Sequence, residues 1–127
     1  MFEITVQTVF AAAHAIRLPD GSLEPVHGHN WPVAVTVGAE HLDEIETVMD
    51  FHDLQAIVTN ILAPWQNADL NNCAPFTDGQ GGLAINPSAE RVAWHIGQKT
   101  AERLPARCRL VCVAVGEAPG CTAMYRP

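Results

Sequence analysis

Three histidines are spaced to hold a metal ion. His27-Gly28-His29 opens an extended segment, where residues two apart face the same way, so both imidazoles reach one point. His14 closes an earlier extended segment that pairs with this one. Three imidazoles converging from paired strands match a three-ligand zinc site with one open position, the arrangement of catalytic rather than structural zinc. Gly28 between the two lets backbone or substrate come close. Glu24 lies three residues before His27. A carboxylate beside a zinc-held substrate acts as a general base when its pKa suits the task. His41, His52 and His95 stand in acidic or helical contexts and read as solvent-facing or capping.

The elements that must position these side chains follow from periodicity. Residues 2–13 begin with alternation, Phe2, Ile4 and Val6 against Glu3, Thr5 and Gln7, and read as a strand. Residues 17–28 are dense in turn formers. Residues 29–39 alternate again, with Trp31, Val33, Val35 and Val37 on one face. Pro32 places the entry of this second strand at an edge or bulge. The acidic stretch 40–50 reads as a solvated face. Asp50 or Asp53 then caps a helix in which Leu54, Ile57, Val58 and Ile61 recur at helical spacing, and Pro64 ends it.

Residues 66–86 read as loop, and a loop that long in a small domain usually means function or disorder. Asn86-Pro87 is a helix-start signal, with Asn86 as the expected N-cap. The helix runs over 88–104 with Val92, Ile96 and Leu104 inward, and Pro105 stops it. Residues 107–117 and 122–126 read as two further strands. The order ββααββ predicts one α+β domain over 1–127: a four-stranded antiparallel sheet with two helices on one face. So small a sheet leaves outer strands unpaired, which predicts edge pairing between copies of the chain.

Composition narrows the classes of function. The 127 residues are 48% apolar and 17% charged, enough for a core. Seven Lys+Arg against fourteen Asp+Glu give a net charge of -7, and Lys99 is the single lysine. No basic stripe exists to follow a phosphate backbone, so neither nucleic acid nor an anionic membrane is an expected partner. The N-terminal Met1-Phe2-Glu3-Ile4-Thr5 has no cationic segment ahead of an apolar one, so no signal peptide is expected. Cys73, Cys108, Cys112 and Cys121 form no CxxC and read as reduced thiols of a cytoplasmic protein. A Cys112–Cys121 cross-strand pair stays open as an alternative.

Five segments in sequence carry a resemblance: Phe10-Ala11-Ala12-Ala13-His14, His27-Gly28-His29-Asn30, Val48 to Leu54, Asn86-Pro87-Ser88-Ala89-Glu90, and Val115-Gly116-Glu117-Ala118-Pro119, closing on Tyr125-Arg126. Together they resemble the 6-pyruvoyl-tetrahydropterin synthase / 6-carboxy-tetrahydropterin synthase family. The resemblance implies the T-fold, in which trimers close a β-barrel and two trimers stack. It implies zinc on His14, His27 and His29, a pterin ring anchored by Glu117, and Ser88 at the substrate. A carboxylate suits that anchor because it accepts two parallel hydrogen bonds from the 2-amino group and ring N–H.

Two departures from the family pattern stand out. The usual catalytic cysteine, four or six residues before the first His of the HGH motif, is replaced by Leu23 and Gly21. The chain instead resembles a subgroup with a glutamate three before it, the place of Glu24. The family's Asp-His pair falls on Gln66 and Asn67, which exchange no proton near neutral pH, with His52 and Asp69 as candidate stand-ins. Arg17 is the cation nearest the metal loop. The expected function is a zinc-dependent lyase or synthase acting on the side chain of a dihydropterin such as 7,8-dihydroneopterin triphosphate. The alternatives are a T-fold that binds zinc and pterin without chemistry, or a structural domain without metal.

Overall fold

The computed structural model describes residues 1–127. Two thirteen-residue strands, β1 (Phe2–His14) and β2 (His27–Ala39), pair antiparallel along their whole length, from Phe2 opposite Ala39 to His14 opposite His27. Alternation sends Val6, Phe10 and Ala12 of β1 and Trp31, Val33, Val35 and Val37 of β2 into the core, each 5% exposed or less. Helix α1 (Phe51–Leu62) and helix α2 (Ala89–Ala101) cover that face with Leu54, Val58, Ile61, Val92 and Ile96. Asp50, not Asp53, caps α1 by accepting from the His52 N–H at 2.7 Å.

The sheet has five strands rather than four, in the order β3 (Ala68–Asp69), β1, β2, β4 (Arg109–Ala118), β5 (Cys121–Tyr125). The extra strand β3 is only Ala68–Asp69, and it runs parallel to β1 at Ala12 and Ala13. It lies inside the segment that reads as loop, where a single 3-10 turn at Leu70–Asn72, the buried Leu70 and Phe76, and a Thr77–Leu83 bridge also give order. Two isolated apolar residues among Asn, Asp and Gly leave no periodic signal. The acidic stretch 40–50 likewise hides core: Val48 and Met49 are buried, and Arg107 ties Asp43 at 3.0 Å.

Strands β4 (Arg109–Ala118) and β5 (Cys121–Tyr125) complete the sheet. A bulge shifts the β2–β4 register at Val37, so Leu110 opposes Val37 but Cys112 opposes Thr36 on the other face. Simple alternation would have put Leu110 and Cys112 together. Cys121 opposes Ala118, out of register with Cys112, and all four thiols are free. The expected N-cap at Asn86 is also displaced. The Asn86 side chain is taken by the Arg17 backbone, accepting from its N–H at 2.8 Å and donating to its carbonyl at 3.0 Å. Ser88 therefore caps α2, its hydroxyl accepting from the Arg91 N–H.

Candidate metal centre

Strand register builds the site. His14 lies directly opposite His27, and His29 sits two residues further along the same face, opposite Ala12. Trp31 forms the floor. Its indole donates to the Ala12 carbonyl at 3.1 Å, His29 stacks on it with centroids 4.2 Å apart, and His14 meets it edge-on at 4.6 Å. His14 is 1% exposed, so a buried aromatic layer holds two of the three rings from beneath.

Each imidazole is fixed from behind by a backbone carbonyl. Nδ1 of His14 donates to Pro87 at 2.7 Å, that of His27 to Pro25 at 3.2 Å, and that of His29 to Asn30 at 3.0 Å. A carbonyl only accepts, so each proton sits on Nδ1 and each Nε2 offers a lone pair to the centre. The Nε2 atoms of His14 and His27 stand 3.1 Å apart. Two facing lone pairs at that distance require a proton or a cation between them. The Nε2 of His29 is buried without a hydrogen-bond partner. Such atoms are costly unless a ligand satisfies them.

Glu117 completes the group. Its Oε1 is 3.3, 3.9 and 3.5 Å from the Nε2 of His14, His27 and His29. All four donor atoms fall within 4.8 Å of one another. Zinc bonds of 2.0–2.1 Å arranged tetrahedrally place ligand atoms roughly 3.3 Å apart. The residues present fit a zinc ion.

The other expected residues divide into those near the centre and those away from it. Glu24 is near: its Oε1 lies 3.9 Å from His27 Nδ1 and accepts from the Ile16 N–H at 3.0 Å. Ser88 and Glu117 border one cavity of about 380 Å³, and Glu117 and His29 border another of about 820 Å³. Gln66 and Asn67 serve the backbone: the Gln66 carbonyl oxygen accepts from the Ala11 N–H at 3.1 Å, and the Asn67 N–H donates to Ala11 at 2.6 Å. Asn67, Asp69 and His29 share a cavity of about 590 Å³, and the Asp69 side chain accepts from the Asn71 N–H.

His52 is 90% exposed beside Asp50 at the start of α1, outside the donor group. His95 is half-buried against Trp65 rather than solvent-facing, and that burial, reinforced by the Lys99 charge, pushes its imidazole below its ordinary pKa. Sequence patterns missed the support of the centre. The Asn71 amide clamps Ala15, the residue after His14, accepting from its N–H at 2.8 Å and donating to its carbonyl at 2.9 Å. No local pattern distinguishes Asn71 from its neighbour Asn72.

Comparison with known proteins gives this arrangement a family. The family model described as 6-pyruvoyl tetrahydropterin synthase matches residues 3–127. The chain belongs to that family. The 6-carboxy-5,6,7,8-tetrahydropterin synthase of Bacillus subtilis is 27% identical to this 6-pyruvoyl tetrahydropterin synthase family member over 128 residues, covering 99% of the chain and 86% of the relative. Among solved structures, the Caenorhabditis elegans 6-pyruvoyl tetrahydropterin synthase superposes with a TM-score of 0.74 at 20% identity, covering 100% of this chain and 97% of that one. A Plasmodium vivax 6-pyruvoyltetrahydropterin synthase, substituted at a glutamate described as its catalytic residue, superposes at 0.78 with 17% identity, covering 99% and 97%. The fold is thus the T-fold of these synthases. No helix of this family member is long and apolar enough to cross a membrane.

Proposed function

We propose that this member of the tetrahydropterin synthase family is a zinc-dependent lyase acting on the side chain of a dihydropterin such as 7,8-dihydroneopterin triphosphate. One observation carries the reading: three Nε2 atoms converge with every Nδ1 already donated to a carbonyl. His14, His27 and His29 hold the metal. Zinc held there would supply a Lewis acid able to stabilise the charge left when an adjacent carbon of the side chain gives up its proton. Glu24 takes that proton. Its carboxylate is oriented by the Ile16 N–H and lies beside the His27 ring. A glutamate described as catalytic in the Plasmodium vivax relative supports the role.

Glu117 anchors the pterin through its 2-amino group and ring N–H, and Ser88 contacts the substrate from the N-cap of α2. Supporting this, Glu117 borders cavities of about 820 and 380 Å³, within the range of small-molecule sites. Arg17 is turned toward the Leu83 carbonyl at 3.4 Å, which makes less phosphorylated pterins candidates beside the triphosphate. The chain acts as a homo-oligomer, trimer or hexamer. The sheet face opposite the helices presents Ala11, Ala13, Ala34, Ala114 and Gly116, and the outer edge of β5 has no partner strand. Closing such edges into a barrel between copies removes the liability of a free edge.

Zinc-loaded protein should convert dihydroneopterin triphosphate or its dephosphorylated form to a 6-substituted product. Glu24→Gln should lower turnover by about 10²–10⁴ with zinc content unchanged. No turnover of either pterin at full zinc occupancy would defeat the lyase reading. Pterin binding in that case, abolished by Glu117→Ala, would establish the binding-only alternative. The structural roles of Gln66 and Asn67 are what favours that alternative.

A further inference from the structure

We infer that Glu117 is the fourth protein ligand of the resting metal centre and that pterin binding draws it away, opening the position the chemistry needs. This rests on the zinc and pterin reading above and adds a regulated step to it. Glu117 Oε1 caps the imidazole triangle at 3.3, 3.5 and 3.9 Å. With that oxygen in place all four tetrahedral positions belong to protein, and a zinc site so closed is structural; catalysis requires one open. The same carboxylate is the one that pairs with the pterin. A two-point contact with an amino group and a ring N–H occupies both carboxylate oxygens. Glu117 therefore holds either the metal or the pterin.

The backbone allows the exchange. Gly116 opposes Thr122 and Ala118 opposes Cys121, so Glu117 is the extra residue of a β-bulge with no partner in β5. Pairing of β4 with β2 ends at Val33–Val115, so it has none there either. Bulges beside active sites re-aim a side chain without disturbing the ladder around them. The Glu117 side chain is 37% exposed, against 1% for His14, 19% for His29 and 45% for His27, whose ring is nonetheless tied to the Pro25 carbonyl. Of the four donors, the three rings are each held from behind by a backbone carbonyl and two of them are also packed on Trp31, whereas the carboxylate has no such tether and borders two cavities. Glu117 is the donor built to leave.

Cobalt(II) in place of zinc reports the ligand set through its visible absorption, and competition with a chromogenic chelator reports affinity. In pterin-free protein, Glu117→Gln and Glu117→Ala should each weaken zinc binding by at least about tenfold and shift the cobalt spectrum. Adding dihydroneopterin to the wild-type cobalt protein should shift its spectrum as well. Gln keeps the shape of Glu, so circular dichroism matching wild type separates ligand loss from misfolding. Wild-type affinity and spectrum in folded Glu117→Gln, or a wild-type spectrum indifferent to dihydroneopterin, would overturn the inference while leaving the lyase reading intact. Failure of the wild type itself to bind zinc would instead remove the reading beneath it.

Discussion

Replacing Asn71 with alanine should destabilise the protein and loosen its metal centre together. The Asn71 amide satisfies both backbone groups of Ala15, at 2.8 and 2.9 Å, and Ala15 is 0% exposed. Truncation leaves a buried N–H and a buried carbonyl unpaired, each costing about 1–3 kcal/mol. Partial entry of water into the gap brings the sum to roughly 2–4 kcal/mol, which for a domain of this size lowers Tm by roughly 10 °C. His14 precedes Ala15 in the chain, so zinc affinity should fall by about tenfold, as for other losses behind a metal ligand. Urea denaturation at fixed protein concentration and chelator competition measure the two effects. Asn72 is exposed, and Asn72→Ala should stay within about 0.5 kcal/mol of wild type. An Asn71→Ala protein that matches Asn72→Ala in both assays would refute the clamp.

Other perturbations separate the structural claims. A Cβ on Gly97 would lie 2.7 and 2.8 Å from the Tyr125 ring. Gly97→Ala should therefore lose roughly 1–3 kcal/mol despite the helix propensity of alanine, whereas Gly28→Ala, whose Cβ finds only ordinary contacts from 3.8 Å outward, should be near neutral in the same denaturation series. Burial holds His95 below its ordinary 6.5, so the unfolded chain binds that proton first as pH falls. The stability it contributes is present above about pH 6.5 and is lost as pH drops from there through the folded value; His95→Gln should flatten this acid limb in chelated protein, and equal slopes would exclude it. On the proposed zinc site, an ion held only by the folded chain should add about 2.7 kcal/mol at a hundredfold excess of free zinc over its Kd, lost on chelation and read as a fall in Tm.

Much of the site was legible because strand geometry is local. His27 and His29 two apart on one face, and His14 at the end of the partner strand, needed only the period of an extended chain and the pairing of two long segments. The core followed for the same reason: Trp31, Val33, Val35 and Val37 are as buried as their alternation demands. Legibility failed where one residue answers to a distant one. Asn86 reads as a cap because it precedes proline, yet Arg17 claims its side chain and Ser88 takes over. Leu70 and Phe76 are core residues without a periodic signal, since they are fixed by turns rather than by a helix or strand.

Sequence alone determined that three imidazoles meet at one end of a strand pair, the order of the long elements and the buried face of the first two strands, because side-chain type and period are written locally. Tertiary structure alone decided that Glu117 reaches the imidazoles, that three carbonyls set their tautomers, and that Asn71 rather than Asn72 supports them. Those contacts depend on register shifts and on distances between segments far apart in the chain. A single bulged residue redirects a carboxylate, and no local pattern records where that bulge will fall.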